Sequence, residues 1–337
     1  MENKIVANEL HGKNILLICQ RFFNYHTDII DALKKMGANV DFFDERPSNT
    51  AVTKAILRIN KAFLASKIRR YYRSILNDIQ NNKYDYILII KPEGIPKNVI
   101  NILRKLNPNA KIVIMLWDAI ANNTAAAEKL KLADKTFSFD PRDCEKYDMK
   151  FRPLFYNEKY NDIAKTNTKA QIDLLFIGTV HSDRYMLLKN MEEKFIKEGY
   201  KVYYYMYLPS KILYYIKKVI LKQFRGSNIK DFKFKSIGQD EVLSLLSKSR
   251  VVIDIQHPNQ IGLTMRTLEM LGANKKIITT NSNVKEYDFY NASNIQVVDR
   301  DMKNIDMEFF RSDYIKIADN IKQKYSLESW LLELLDC

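Results

Sequence analysis

Short apolar runs rich in β-branched residues alternate with helix-periodic stretches along nearly the whole chain, and this alternation constrains the fold more than any other feature. A strand covered on both faces reads as an unbroken apolar run, whereas a helix laid on a sheet repeats its apolar positions at i, i+3 and i+4. By that test the runs 14–19, 39–44, 84–90, 111–118 and 136–139 are expected strands of a first half. The runs 172–177, 201–207, 231–235, 251–255, 276–280 and 294–298 are expected strands of a second. Helices are expected between them in the first half, near 26–36, 52–81, 96–106 and 123–132. Only nine glycines are present, so their placement carries information. Gly37, Gly199 and Gly272 each follow a helical stretch and precede a strand, where a left-handed residue stops the helix. Gly37 and Gly199 hold matching places in the two halves.

The expected fold is therefore α/β, two Rossmann-like doubly wound domains facing across a cleft. A length of 337 residues suits two cores. The expected divisions are 1–160, 161–310 and a helical tail 311–337 that packs back on the first domain. The join is placed in the polar stretch 157–171, which shows no apolar periodicity.

A net charge of +14 favours acidic partners, whether phosphates, anionic membrane or nucleic acid. Three scattered cysteines, Cys19, Cys144 and Cys337, fit neither a disulfide framework nor a zinc spacing, and point to a reducing compartment. With four dispersed histidines and no HExxH, no metal is expected. The N-terminus lacks a secretory pattern and no apolar run reaches membrane-spanning length, so a cytoplasmic protein, peripheral on the inner face of the plasma membrane, is expected.

In doubly wound sheets ligands sit at the carboxyl ends of the strands. The most informative stretch is 251–281, where a strand leads into a polar turn with His257 and Gln260. Gly262 then precedes a helix start carrying Thr264, Arg266 and Glu269. Unpaired N–H groups at a helix start attract anions, an arginine fork suits phosphate, and Glu269 one turn on can accept from a ribose. An Arg266–Glu269 surface pair at i,i+3 is the plainer alternative. The turn after 172–177 brings Gly178, Thr179, His181 and Arg184 to the same sheet edge, with Ser182 or Asp183 as helix cap. One glycine is no dinucleotide fingerprint. In the first half, Asp118 follows a strand beside Trp117 and is the first candidate for a base; His26, at the start of the first helix, is the second. Lys91 and Glu93 can bind a polyol, and Asp140 with Pro141 reads as a helix cap. Asp118 and Asp28 also fit capping roles.

Two stretches, near 52–79 and 209–235, are basic and amphipathic with interleaved aromatics. They suit an anionic membrane face; for each stretch alone a solvated helix whose stripe packs on the sheet is the plainer reading, and nucleic acid ranks below both.

The runs GTVHSDRY (178–185), DIQHP (254–258), GLTMRTLE (262–269) and TTN (279–281), with Trp117-Asp118 and SFDP (138–141), resemble bacterial GT-B glycosyltransferases of capsule and lipopolysaccharide synthesis, in the spore-maturation-type, group-1-like branch. The resemblance covers about 14–299. It implies a nucleotide-sugar donor in the second domain, with diphosphate by Gly178, Thr179 and Arg266 and ribose by Glu269, and a glycan or lipid-linked acceptor in the first. No cofactor is expected beyond the donor as substrate, since no Asp-x-Asp with metal-site context stands at a strand end. Retaining members carry two glutamates in this block; here Ile261 holds the earlier place, leaving the stereochemistry open. A nucleotide-sugar epimerase and a non-catalytic nucleotide-sugar-binding partner of a capsule assembly complex stay as alternatives.

Overall fold

The computed structural model describes residues 9–48, 65–122, 124–166, 168–258, 260–301 and 304–337. The chain divides into two compact units, Met1–Leu154 with Leu327–Cys337, and Phe155–Ser326.

Unit 1 is built on the strands β1 (Asn14–Cys19), β2 (Asn39–Asp44), β3 (Tyr86–Ile90), β4 (Lys111–Leu116), β5 (Lys135–Ser138) and β6 (Lys150–Phe151). They pair in parallel in the order β2-β1-β3-β4-β5-β6. Ile15, Leu16, Leu17 and Ile18 are all fully buried, as are Ile87, Leu88, Ile89 and Ile90. Unbroken burial explains why these strands read as continuous apolar runs. The helices are α1 (Tyr25–Lys35), α2 (Ala65–Asp78), α3 (Lys97–Leu106), α4 (Ala127–Leu130) and α5 (Pro141–Tyr147). In α2, Ile68, Tyr72 and Ile75 face the core while Lys67, Arg69, Arg70 and Arg73 are exposed. The described part of this basic stretch is thus a solvated helix with a buried stripe. Lys54, Arg58 and Lys61 lie outside the described residues. The helix expected over 123–132 is instead two 3-10 turns, Ile120–Asn122 and Thr124–Ala126, followed by α4. A remote contact pins its start: Ile120 N–H donates to Asp143 Oδ2 at 2.7 Å.

Unit 2 repeats the plan. Its strands β7 (Ile172–Thr179), β8 (Val202–Tyr207), β9 (Ser249–Asp254), β10 (Lys276–Thr279) and β11 (Ile295–Val297) run in the order β11-β10-β9-β7-β8. In both sheets the first strand lies between the second and the third, so each reverses winding beside its first strand. The helices are α6 (Glu158–Lys165), α7 (Arg184–Lys197), α8 (Lys211–Tyr215), α9 (Gln239–Ser247), α10 (Met265–Gly272), α11 (Glu308–Arg311) and α12 (Asp319–Gln323). A final helix, α13 (Leu327–Leu335), belongs to unit 1. There Trp330, Leu331, Leu334 and Leu335 are fully buried and the Trp330 ring lies 6.2 Å from Trp117.

Four further expectations need correction. The stretch 157–171 contains α6, whose anchors Tyr160 and Ile163 are too few to show a period. The run 231–235 is no strand: Asn228 and Asp231 close a capping box on a 3-10 turn, and only Lys233 bridges to Tyr207. The helical tail expected over 311–337 is no single helix: it begins at the end of α11 and holds the separate helices α12 and α13. Gly272 is the last residue of α10 and not its left-handed stop; Asn274 takes that conformation at φ 50°. Gly272 is small because a Cβ there would stand 2.5 Å from the Tyr156 ring. Gly37 and Gly199 are left-handed, as their positions predict.

Candidate functional site

In unit 2 the winding reverses between β7 and β9, and most of the residues singled out from sequence gather at their carboxyl ends. Arg184, the first residue of α7, spans the reversal. Its Nη1 donates to Thr179 O at 2.9 Å and its Nη2 to Ile255 O. Burial lowers its pKa to about 10, although Asp254 opposes the shift. Its Nε is buried and has no hydrogen-bond partner among the described residues. Just beyond the two strand ends, the His181 and His257 rings lie 5.5 Å apart. Burial, with the charges of Arg184 and His257 next, depresses the His181 pKa to about 3, so this ring is neutral at ordinary pH.

The turn into α7 holds Ser182 at φ 52°, an uncommon conformation for a residue with a side chain. Neither expected cap forms. Asp183 occupies the N-cap position without a side-chain cap bond, because its carboxylate takes a bidentate fork from Arg300 at 2.6 and 2.8 Å. That hydrogen bonding holds the Asp183 carboxyl below its ordinary pKa. Gly178 lies within β7, paired with Met206, and not in the turn; a Cβ there would meet the Phe176 ring at 3.1 Å.

The loop after β9 is laced by side chains. Gln256 and Thr280 bond each other, Gln260 Nε2 donates to Gly262 O at 3.0 Å, and Asn281 Nδ2 donates to Ile261 O at 2.9 Å. Thr264 is the N-cap of α10, but its hydroxyl and that of Thr267 both donate to Asp254 Oδ2, at 2.8 and 2.9 Å. Burial raises the Asp254 pKa against these bonds. Arg266 pairs with Glu269 at 2.9 Å, and this i,i+3 pair is not a surface one: the Glu269 side chain is 2% exposed and also accepts from Tyr160 Oη at 2.6 Å.

The corresponding edge of unit 1 carries a denser polar cluster. Gln20 follows β1, Glu45 and Arg46 follow β2, Lys91 and Glu93 follow β3, and Asp118 follows β4. Lys91 Nζ lies 2.6 Å from Asp118 Oδ2 and 3.8 Å from Glu93 Oε1. Arg46 pairs with Glu93. Burial works to raise the Glu93 pKa, yet Lys91 and Arg46 together bring it below its ordinary value. Fully buried Glu45 accepts from the N–H groups of Gly94 and Ile95, and burial raises its carboxyl to about 7 despite Lys129. Gln20 Nε2 donates to Lys91 O at 3.1 Å and to Glu45 Oε2 at 3.3 Å. The two candidate bases have separate partners. The His26 ring lies 5.4 Å from Phe42, and burial, then Arg21, lowers its pKa. Asp118 is held by Lys91. Trp117 packs edge-on to Tyr25 at 5.8 Å as well as against Trp330. Asp140 caps α5 as expected, accepting from Arg142 N–H at 3.1 Å.

Sequence reasoning missed Arg300, Tyr160, Glu45 and Arg46. Arg300 lies three residues past β11 and Glu45 directly after β2, so the strand-end rule itself would have found them. Tyr160 had no local signal, since it acts through a residue 109 positions away. No cluster of metal-ligating side chains occurs among the described residues.

An edge with arginines and histidines in unit 2 and a carboxylate–lysine cluster in unit 1 are set on a known scaffold. No family model and no curated protein matches the sequence. Solved structures do match over nearly the full chain. An α-glucosyltransferase in complex with UDP and a mismatched 13-mer DNA aligns over 96% of both chains with 16% identity and TM-score 0.61. The α,α-trehalose 6-phosphate synthase of Burkholderia multivorans aligns over 97% of both with 9% identity and TM-score 0.62. The UDP-GlcNAc 2-epimerase of Methanocaldococcus jannaschii, in complex with UDP-GlcNAc and UDP, aligns over 96% of this chain and 99% of its own, with 12% identity and TM-score 0.53. At such identities the likeness establishes the fold: α/β, with two parallel sheets, of the GT-B type.

Proposed function

We propose that the chain is a glycosyltransferase that moves a sugar from a nucleoside diphosphate donor to a hydroxyl of a surface-glycan or lipid-linked acceptor. The observation that carries this reading is the convergence of Arg184, Arg300, His181 and His257 on the winding reversal of unit 2, where their charges and donors stand in partly dry surroundings. Such donors offset the charge of a departing diphosphate without rearranging during the reaction. Arg266 reinforces the same strand end through its field on Asp254. Glu269, the ribose acceptor implied by the resemblance, is buried with both carboxylate oxygens engaged by Arg266 and Tyr160, so in this reading it fixes the Arg266 guanidinium. UDP in the α-glucosyltransferase and epimerase complexes makes it the first nucleotide to test.

Unit 1 takes the acceptor in this reading. Asp118 receives the acceptor proton and Lys91 orients its carboxylate. The epimerase neighbour keeps a second reading open, and one experiment separates the two. With radiolabelled UDP-sugars and no acceptor, a transferase gives slow hydrolysis at most, whereas an epimerase gives an isomeric UDP-sugar. UDP binding by calorimetry supports the donor site. Absence of any melting shift across a full panel of nucleotides and sugar nucleotides would overturn it.

A further inference from the structure

Unit 2 carries an apolar ridge that its core does not cover. In α8 and the π turn Ile216–Ile220 that continues it, Ile212, Val219 and Ile220 are 73%, 70% and 70% exposed, and Tyr215, Ile216 and Leu221 are exposed as well. Ile212, Tyr215, Ile216, Val219 and Ile220 stand at i, i+3, i+4, i+7 and i+8, and all five are exposed. The opposite side is fastened down. Tyr214 is buried, its ring 5.2 Å from Phe232, and its hydroxyl donates to Ser227 O at 3.1 Å; Lys218 Nζ donates to the same carbonyl at 2.6 Å. The ridge is therefore a firmly held surface and not a loose loop.

Charge selects the partner. No acidic residue occurs between 209 and 230. Lys211, Lys222, Arg225 and Lys230 are exposed, and none of them forms an ion pair among the described residues. Apolar side chains bordered by unpaired cations match a lipid surface, whose phosphates lie directly above its acyl layer. Nucleic acid would engage the cations and leave the apolar side chains in water. No helix among the described residues is long and apolar enough to cross a membrane.

We propose that the segment 211–225 docks unit 2 on an anionic bilayer, with Ile212, Val219 and Ile220 entering the acyl boundary and Lys211, Lys222 and Arg225 meeting lipid phosphates. This goes beyond sugar transfer and does not rest on it.

The test is co-sedimentation of the full chain with phosphatidylcholine vesicles, with and without phosphatidylglycerol, across a salt series. The wild-type protein should bind the anionic vesicles, and binding should weaken with salt. The I212N/V219N/I220N variant should lose about tenfold or more in affinity with an unchanged melting temperature, since the replaced side chains are exposed. If that variant melts early, the single variant Val219→Asn carries the test. Binding by a folded variant equal to wild type overturns the proposal. So does duplex DNA binding that survives I212N/V219N/I220N and is lost in K211E/K222E/R225E. A concentration-dependent dimer abolished by I212N/V219N/I220N, without vesicle binding by the wild type, would assign the ridge to a second copy of the chain and also overturn it.

Discussion

His181 should make unit 2 acid-sensitive. Its folded pKa is about 3 against an ordinary 6.5, through burial first and the charges of Arg184, His257 and Lys217 next, with Asp183 the one opposing group. Above pH ~6.5 the ring is neutral in both folded and unfolded chains and contributes no pH dependence. Between pH ~6.5 and ~3 the unfolded chain binds a proton that the folded one refuses, so stability falls on acidification. At pH ~5 the loss comes to about 2 kcal/mol relative to pH ~7.5. For a unit of this size that is about 4–8 °C in melting temperature. Glu45 in unit 1 acts with the opposite sign: its carboxyl, raised to about 7 from 4.5, gains stability as pH falls through that range. The measurement is therefore the difference between wild type and His181→Asn, each melted at both pH values. The variant should melt with a shallower acid slope. Linkage also predicts that a diphosphate beside the ring draws a proton onto it, so UDP binding should take up protons near pH ~5.5, measured by calorimetry in buffers of different ionisation enthalpy. An unchanged slope in the variant, or an NMR titration of His181 near 6.5, would refute the reasoning.

Three further outcomes are expected. Gly272→Ala places a Cβ 2.5 Å from the Tyr156 ring and should cost about 1–3 kcal/mol in urea unfolding; a neutral substitution would show that the ring moves freely. Asp118→Asn should abolish transfer with UDP affinity nearly intact, and an equal loss of both would remove Asp118 from the base role. Arg300→Met should weaken UDP binding about tenfold to a hundredfold, since it removes a charged donor and leaves Asp183 without its fork; unchanged affinity would place Arg300 outside the donor site.

Much of the fold was legible because its signals are local. β1 falls where its apolar run places it, since a strand buried on both faces carries almost only apolar residues; the edge strand β2, half-buried and carrying Asp41, also falls in its expected place. Gly37 and Gly199 mark their helix ends because only a residue without a side chain takes φ near 90° at low cost. The same rule failed at Gly272, where the reason for glycine is a ring 116 positions earlier and not the local backbone. The strand expectation failed in 231–235, where the Asn228–Asp231 capping box outweighs strand propensity.

The candidate site divides in the same way. Strand-end position alone drew attention to His181, Arg184, His257, Arg266, Glu269 and Asp118, because in a doubly wound sheet every carboxyl end lies on one edge. Which groups pair at that edge was decided only in three dimensions. Asp183 left its capping role for Arg300, Glu269 gained Tyr160, and Asp118 gained Lys91. Those choices follow from competition among charges brought together by strand order, with burial raising the cost of leaving any of them unpaired. The sequence by itself determined which residues stand at the strand ends; the tertiary structure decided their partners, because partnership depends on neighbours that no local pattern records.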